Sequence, residues 1–148
     1  MLVAKGKDRI WYVCDVVKGQ WHATARDAII KQTTDIDTGR HGRQYSVVLE
    51  QEPGSGGKQS AEISVKQLAG HIVAIERVTG DKKSRAMAFA SQAGAGNVRI
   101  VRGAWNREWI DEVSVFTGLD GARDDQVDAT TLAFNKLALV RKLTAWVM

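Results

Sequence analysis

Short runs of alternating apolar and polar residues are separated along this chain by stretches with apolar residues at helical spacing. Residues 2–5 and 10–17 read as strands, and Gly6-Lys7-Asp8 turns them into a hairpin. Ala25, Ala28 and Ile29 predict a helix over about residues 22–33, weakened at its end by Thr33-Thr34-Asp35, and the polar, glycine-punctuated residues 35–43 read as a loop. The β-formers Tyr45, Val47, Val48 and Leu49 predict a strand over residues 45–50, followed by a glycine-rich loop and a helix at about residues 61–68 closed by Gly70. Residues 71–78 form the next strand. Asp81 then caps a helix running to about Ala93 and ended by Gly94-Ala95-Gly96. A strand at residues 98–101, a helix at 108–116 and a long helix from Asp125 complete the pattern. In that last helix Val127, Thr131, Phe134, Ala138 and Leu143 make a core-facing stripe. Helices between successive strands imply parallel pairing through right-handed crossovers, hence an α/β fold.

Composition narrows the class. At 148 residues, 44% hydrophobic and 26% charged, the chain reads as one soluble globular domain over residues 1–148. A net charge of +4 fits a polyanionic partner without requiring one. A single cysteine, Cys14, excludes an internal disulfide framework, suits a reducing cytoplasm and reads as a buried small hydrophobe. No apolar run has the length of a membrane span, and the N-terminus lacks the features of a signal peptide. Three scattered histidines and one cysteine are too few for a structural zinc site, so any metal would be a hard cation on carboxylates.

Two acidic constellations stand out. Glu50 ends a strand, where α/β proteins build their sites, and Glu52 follows it. They read either as a metal ligand with an assisting acid, or as solvated acids on a turn made by Pro53-Gly54. Asp124, Asp125 and Asp128 open the last helix. Asp125 and Asp128 are i,i+3 and close enough to share a cation, yet acids are also favoured at a helix N-terminus with no metal present. Packed together, such acids would repel one another unless a cation neutralised them.

The loop Gly54-Ser55-Gly56-Gly57-Lys58 imitates a nucleotide-binding loop but holds Glu52 and Gln59 where that pattern needs Gly and Ser or Thr, so ATP binding is excluded. Its amides and Lys58 suit a nucleic-acid phosphate. Asp81-Lys82-Lys83-Ser84-Arg85 is a basic first helical turn, read either as a solvated face or, with Arg77, Arg99 and Arg102, as a basic surface. The five tryptophans read as core anchors rather than stacking platforms.

The order Leu49-Glu50-Gln51-Glu52-Pro53-Gly54-Ser55, Gly80-Asp81-Lys82…Arg85-Ala86, Gly96-Asn97-Val98-Arg99, Trp105-Asn106 and Asp124-Asp125-Gln126-Val127-Asp128-Ala129 resembles the C-terminal nuclease domain of phage terminase large subunits over nearly the whole chain. More distantly, the Asp125/Asp128 pair resembles that of Holliday-junction resolvases. The resemblance implies a ribonuclease H-like mixed sheet flanked by helices, and an endonuclease that cuts concatemeric double-stranded viral DNA during packaging in the cytoplasm of a bacterial host. It implies two Mg or Mn ions held by Glu50, Asp124, Asp125 and Asp128, with Glu52 as an auxiliary acid and phosphate contacts from Lys58, Lys82 and Arg85. The partners it implies are an ATPase motor, a small terminase subunit and a portal, with no membrane.

The family's first catalytic Asp lies on a central strand upstream of the hairpin with which this chain begins, so the fold is expected to be incomplete at the N-terminus. That strand would lie between the first hairpin and the strand at residues 45–50, and the expectation is a truncated form or a prophage remnant. Asp15 is a poor substitute. Two further readings stand beside the nuclease: a non-catalytic DNA- or protein-binding remnant of the fold, and a stand-alone resolvase-like enzyme whose extra acid would be Asp15 or Glu76.

Overall fold

The computed structural model describes residues 1–42, 45–119 and 123–139. The chain divides into two units, one of Met1–Val17 with Gly80–Met148 and one of Lys18–Thr79. The strands fall into two sheets, one in each unit.

The first unit begins with the expected hairpin, β1 (Leu2–Lys5) antiparallel to β2 (Trp11–Asp15), with the Gly6 amide donating to the Ile10 carbonyl across the turn. α3 (Lys82–Gly94) starts at Asp81, whose carboxylate accepts from the Ser84 backbone amide at 2.8 Å, as an N-cap should. β5 (Val98–Ile100) then pairs parallel to β2, giving the order β1-β2-β5. This is a mixed sheet, and among the described residues β1 has a partner on one side only. α4 (Asn106–Val115) and α5 (Asp125–Leu139) complete the unit. Its core is Val3, Trp11, Val13, Phe89, Trp109 and Phe134. The Phe134 ring lies 4.3 Å from Trp11 and 5.5 Å from Phe89, centroid to centroid. Val127, Thr131 and Phe134 are buried as the α5 stripe requires, whereas Ala138 is exposed and Leu143 lies outside the described residues. Cys14 is half-buried rather than buried, its thiol 3.5 Å from the Tyr12 carbonyl.

In the second unit α1 (Ala23–His41) carries on through residues 35–41, where a loop is expected. The segment is polar for a reason other than being a loop. Asp35 pairs with Lys31 one turn back at 2.8 Å, while Thr34 and Asp37 are buried. The helix ends where Gly42 takes φ +67. β3 (Val47–Gln51) and β4 (Val73–Arg77) pair in parallel, and α2 (Ser55–Gln67) crosses between them. α2 starts six residues earlier than its apolar pattern indicates, so most of the glycine-rich loop is its first turn. Gly54 enters at φ +91, and a Cβ on Gly57 would meet the Glu52 carbonyl oxygen at 2.1 Å. Gly54 serves the turn and Gly57 the close approach of the helix to the chain just after β3, a pattern that propensity alone reads as a loop.

His71, just before β4, ties back to α1. One ring nitrogen lies 2.9 Å from Asp35 Oδ1 and the other 3.1 Å from Thr38 Oγ1. The Lys31 ammonium first, and His71 second, hold the Asp35 carboxyl below its ordinary value of 3.8. A group with a lowered folded-state pKa stabilises the fold above its unfolded value, and that contribution disappears as pH falls through the folded value. The urea midpoint of Asp35→Asn should therefore lie below that of the parent well above pH 3.8 and converge with it in stronger acid. A gap of constant size across the acid range would sink this account.

A candidate acid and cation site at the start of α5

Three hydrogen bonds from α4 fix how α5 begins. Trp105, Trp109, Glu112 and Phe116 recur at helical spacing, so Glu112 shares the inward face of α4 with two tryptophans and is buried. Its carboxylate accepts from the Gln126 amide at 2.5 Å, the Gln126 Nε2 at 2.6 Å and the Val127 amide at 3.3 Å. These backbone groups belong to the first turn of α5, which has no intrahelical acceptors for them, so Glu112 caps the helix from a neighbouring element. One turn further along, the Trp109 indole donates to Thr130 Oγ1 at 3.0 Å, and that hydroxyl donates to the Gln126 carbonyl at 2.6 Å. Because a carboxylate only accepts, it turns the Gln126 Nε2 toward itself. The Gln126 Oε1 is left buried, without a hydrogen-bond partner among the described residues.

Sequence reasoning missed Glu112. The signal was present: a lone acid on an otherwise aromatic helical stripe is buried, and a buried carboxylate needs donors.

The acids at this helix end have different surroundings. Asp124 is buried and Asp128 half-buried, and both face the first turn of α3. The Lys82 ammonium lies 2.7 Å from each Asp124 carboxylate oxygen and 2.9 Å from Asp128 Oδ2. Arg85 donates to Asp128 Oδ1 at 3.0 Å and to the Gly80 carbonyl at 2.8 Å. The Asp124 carboxylate first, then that of Asp128, raises the Lys82 pKa well above the ordinary lysine value. Asp125 is exposed and makes no hydrogen bond or ion pair with a described residue. The pair converging on one cation is thus Asp124 and Asp128, at i,i+4, in place of the Asp125 and Asp128 expected to share one. Lys82 and Arg85, expected at a phosphate, here neutralise carboxylates.

In the other unit, Glu50 is exposed near the end of β3, in register with Glu76 on β4, so the two side chains leave the same face of that sheet. Glu50 and Glu52 line a cavity of about 320 Å³ together with Arg26, Ser60, Ser64 and the glycines of the first turn of α2. Lys58 is exposed, 3.9 Å from Glu62. Asp15 accepts the Val16 amide at 2.8 Å in the first unit.

Within neither unit do three or more His, Cys, Asp or Glu side chains among the described residues gather to hold a metal ion. In kind, the Asp124 and Asp128 oxygens fit a hard divalent cation, since magnesium is commonly held by one or two carboxylates and retains several waters. The ammonium between them marks a point where a cation is stabilised.

The family model of the terminase RNaseH-like domain matches residues 2–137. No curated protein matches the chain, and no solved structure does. Among the described residues no helix is long and apolar enough to cross a membrane.

Proposed function

We propose that this chain, which belongs to the terminase RNaseH-like domain family, acts in metal-dependent cutting of double-stranded DNA during genome packaging. The observation that carries the reading is the convergence of Asp124 and Asp128 oxygens on a single cation at the start of a helix set rigidly by Glu112. The reading assigns metal-holding roles to Glu50, Asp124, Asp125 and Asp128, with Glu52 as an auxiliary acid. When bound, divalent ions lend such carboxylates the means to generate a hydroxide nucleophile and to neutralise the leaving oxygen. The side chains themselves hold charge in place. Asp125, exposed beside two neutralised neighbours, is the acid of the α5 group with its oxygens open to solvent. Lys58, Lys82 and Arg85 are the proposed phosphate contacts, and an ATPase motor, a small terminase subunit and a portal the proposed partners.

Nicking of supercoiled plasmid in manganese or magnesium tests this. We expect cation-dependent nicking that falls about a hundredfold or more in Glu50→Ala and in Asp125→Ala, at least the loss that follows disruption of a metal's supporting groups. A folded parent chain that leaves the plasmid intact would reject cutting by this chain. It would favour the second reading, a non-catalytic DNA- or protein-binding module, which gains support from the full neutralisation of Asp124 and Asp128 by Lys82 and Arg85.

A further inference from the structure

We propose that Lys82 is a tethered counter-ion: it occupies the cation position between Asp124 and Asp128, a divalent cation displaces it, and the released ammonium is then free to meet a DNA phosphate. The inference rests on the metal-dependent reading above.

Three features single out Lys82. First, its ammonium contacts three carboxylate oxygens, both of Asp124 and one of Asp128, so it stands where a cation shared by the two acids would stand. Second, the two basic residues differ in how they are held. Arg85 is anchored at both ends of its guanidinium, by Asp128 and by the Gly80 carbonyl, and its rigid fork suits a fixed role. Lys82 is a point charge on a flexible four-carbon stem, and its side chain retains 32% exposure, which gives it a path to solvent. Third, Asp124 is buried, and losing the ammonium strips it of both hydrogen bonds that Lys82 supplies. A buried carboxylate left in that state is costly, so the ammonium leaves only when another cation arrives. Exchange, rather than simple opening, is what the geometry favours.

The arrangement makes the lysine a competitor for the metal. When a binding-competent state is only fractionally populated, apparent affinity falls by that fraction. If Lys82 keeps the position filled about nine-tenths of the time, removing its charge strengthens divalent binding about tenfold.

The test compares the parent chain with Lys82→Met, which keeps an unbranched apolar stem without the ammonium. Calorimetric titration with Mn²⁺ should show Lys82→Met binding about tenfold tighter than the parent. Its melting temperature, lowered in chelator, should recover on adding Mn²⁺ by more than the parent's rises. Equal or weaker Mn²⁺ binding by the variant, or a lowered melting temperature that Mn²⁺ leaves unchanged, would overturn the proposal and make Lys82 a fixed structural ion pair. A second measurement needs no variant. The Lys82 ammonium protons of the parent, visible by nitrogen-detected NMR while hydrogen-bonded, should vanish from their bonded position on saturation with Mg²⁺. Their persistence under saturating Mg²⁺, or failure of the parent to bind Mg²⁺ at all, also overturns it. Loss of the exchange with cation-dependent nicking intact rejects this inference alone. Absence of such nicking rejects the nuclease reading, whatever the titrations show.

Discussion

Glu112→Ala lowers the free energy of unfolding by about 2–4 kcal/mol, because it strands three donors that have no second acceptor among the described residues. An exposed helix cap is worth about 1 kcal/mol on average. Here the accepting group is charged and buried and serves two backbone amides and a side-chain amide, so the loss is larger. The measurement is the urea midpoint at unchanged slope, which separates a stability change from a change in the denatured state. Glu112→Gln is the informative companion. It preserves volume, yet it presents an NH₂ group to a nest of donors, so it should lose much of the same stability. A glutamine variant as stable as the parent would show that shape, not acceptance by a carboxylate, holds the helix end. Asp125→Ala should leave stability close to that of the parent, since that side chain is exposed and unpaired among the described residues.

Phe134→Ala should cost about 3–5 kcal/mol, the range for deleting a buried aromatic ring. Phe134 is 3% exposed and is wedged between Trp11 of the sheet and Phe89 of α3, so its loss leaves a cavity bounded on two sides by rings that cannot collapse into it. Thermal unfolding measures this, with Phe134→Leu as the control that refills much of the volume and recovers most of the loss. A drop below about 1 kcal/mol for the alanine variant would mean that the three rings do not form one packed cluster.

Some of this fold is written locally in the chain, and some of it only in contacts made once the chain is folded. The hairpin, the parallel pairing of the successive strands β3 and β4, the Asp81 cap and the core-facing stripe of α5 follow from period and capping, which are local, whereas the pairing of β2 with β5 does not. The second half of α1 was illegible, because Asp35 and Asp37 are acids with tertiary employment: one is bound to His71, thirty-six positions away, and the other is buried. The first turn of α2 was illegible because Gly57 answers to the Glu52 backbone, a contact that helix propensity does not register. At the acids, residue type implied that a cation would be needed to neutralise them. It did not reveal that the chain carries its own in Lys82, since α3 and α5 meet only once folded.

The bonds from Glu112 and Trp109 reach α5 on two successive turns, and two points of attachment on a cylinder fix its angle of rotation as well as its position. The bearing of Asp125 and Asp128, which α5 carries, is therefore set by α4. A partner that tilts α4 would re-aim Asp125 and Asp128 together.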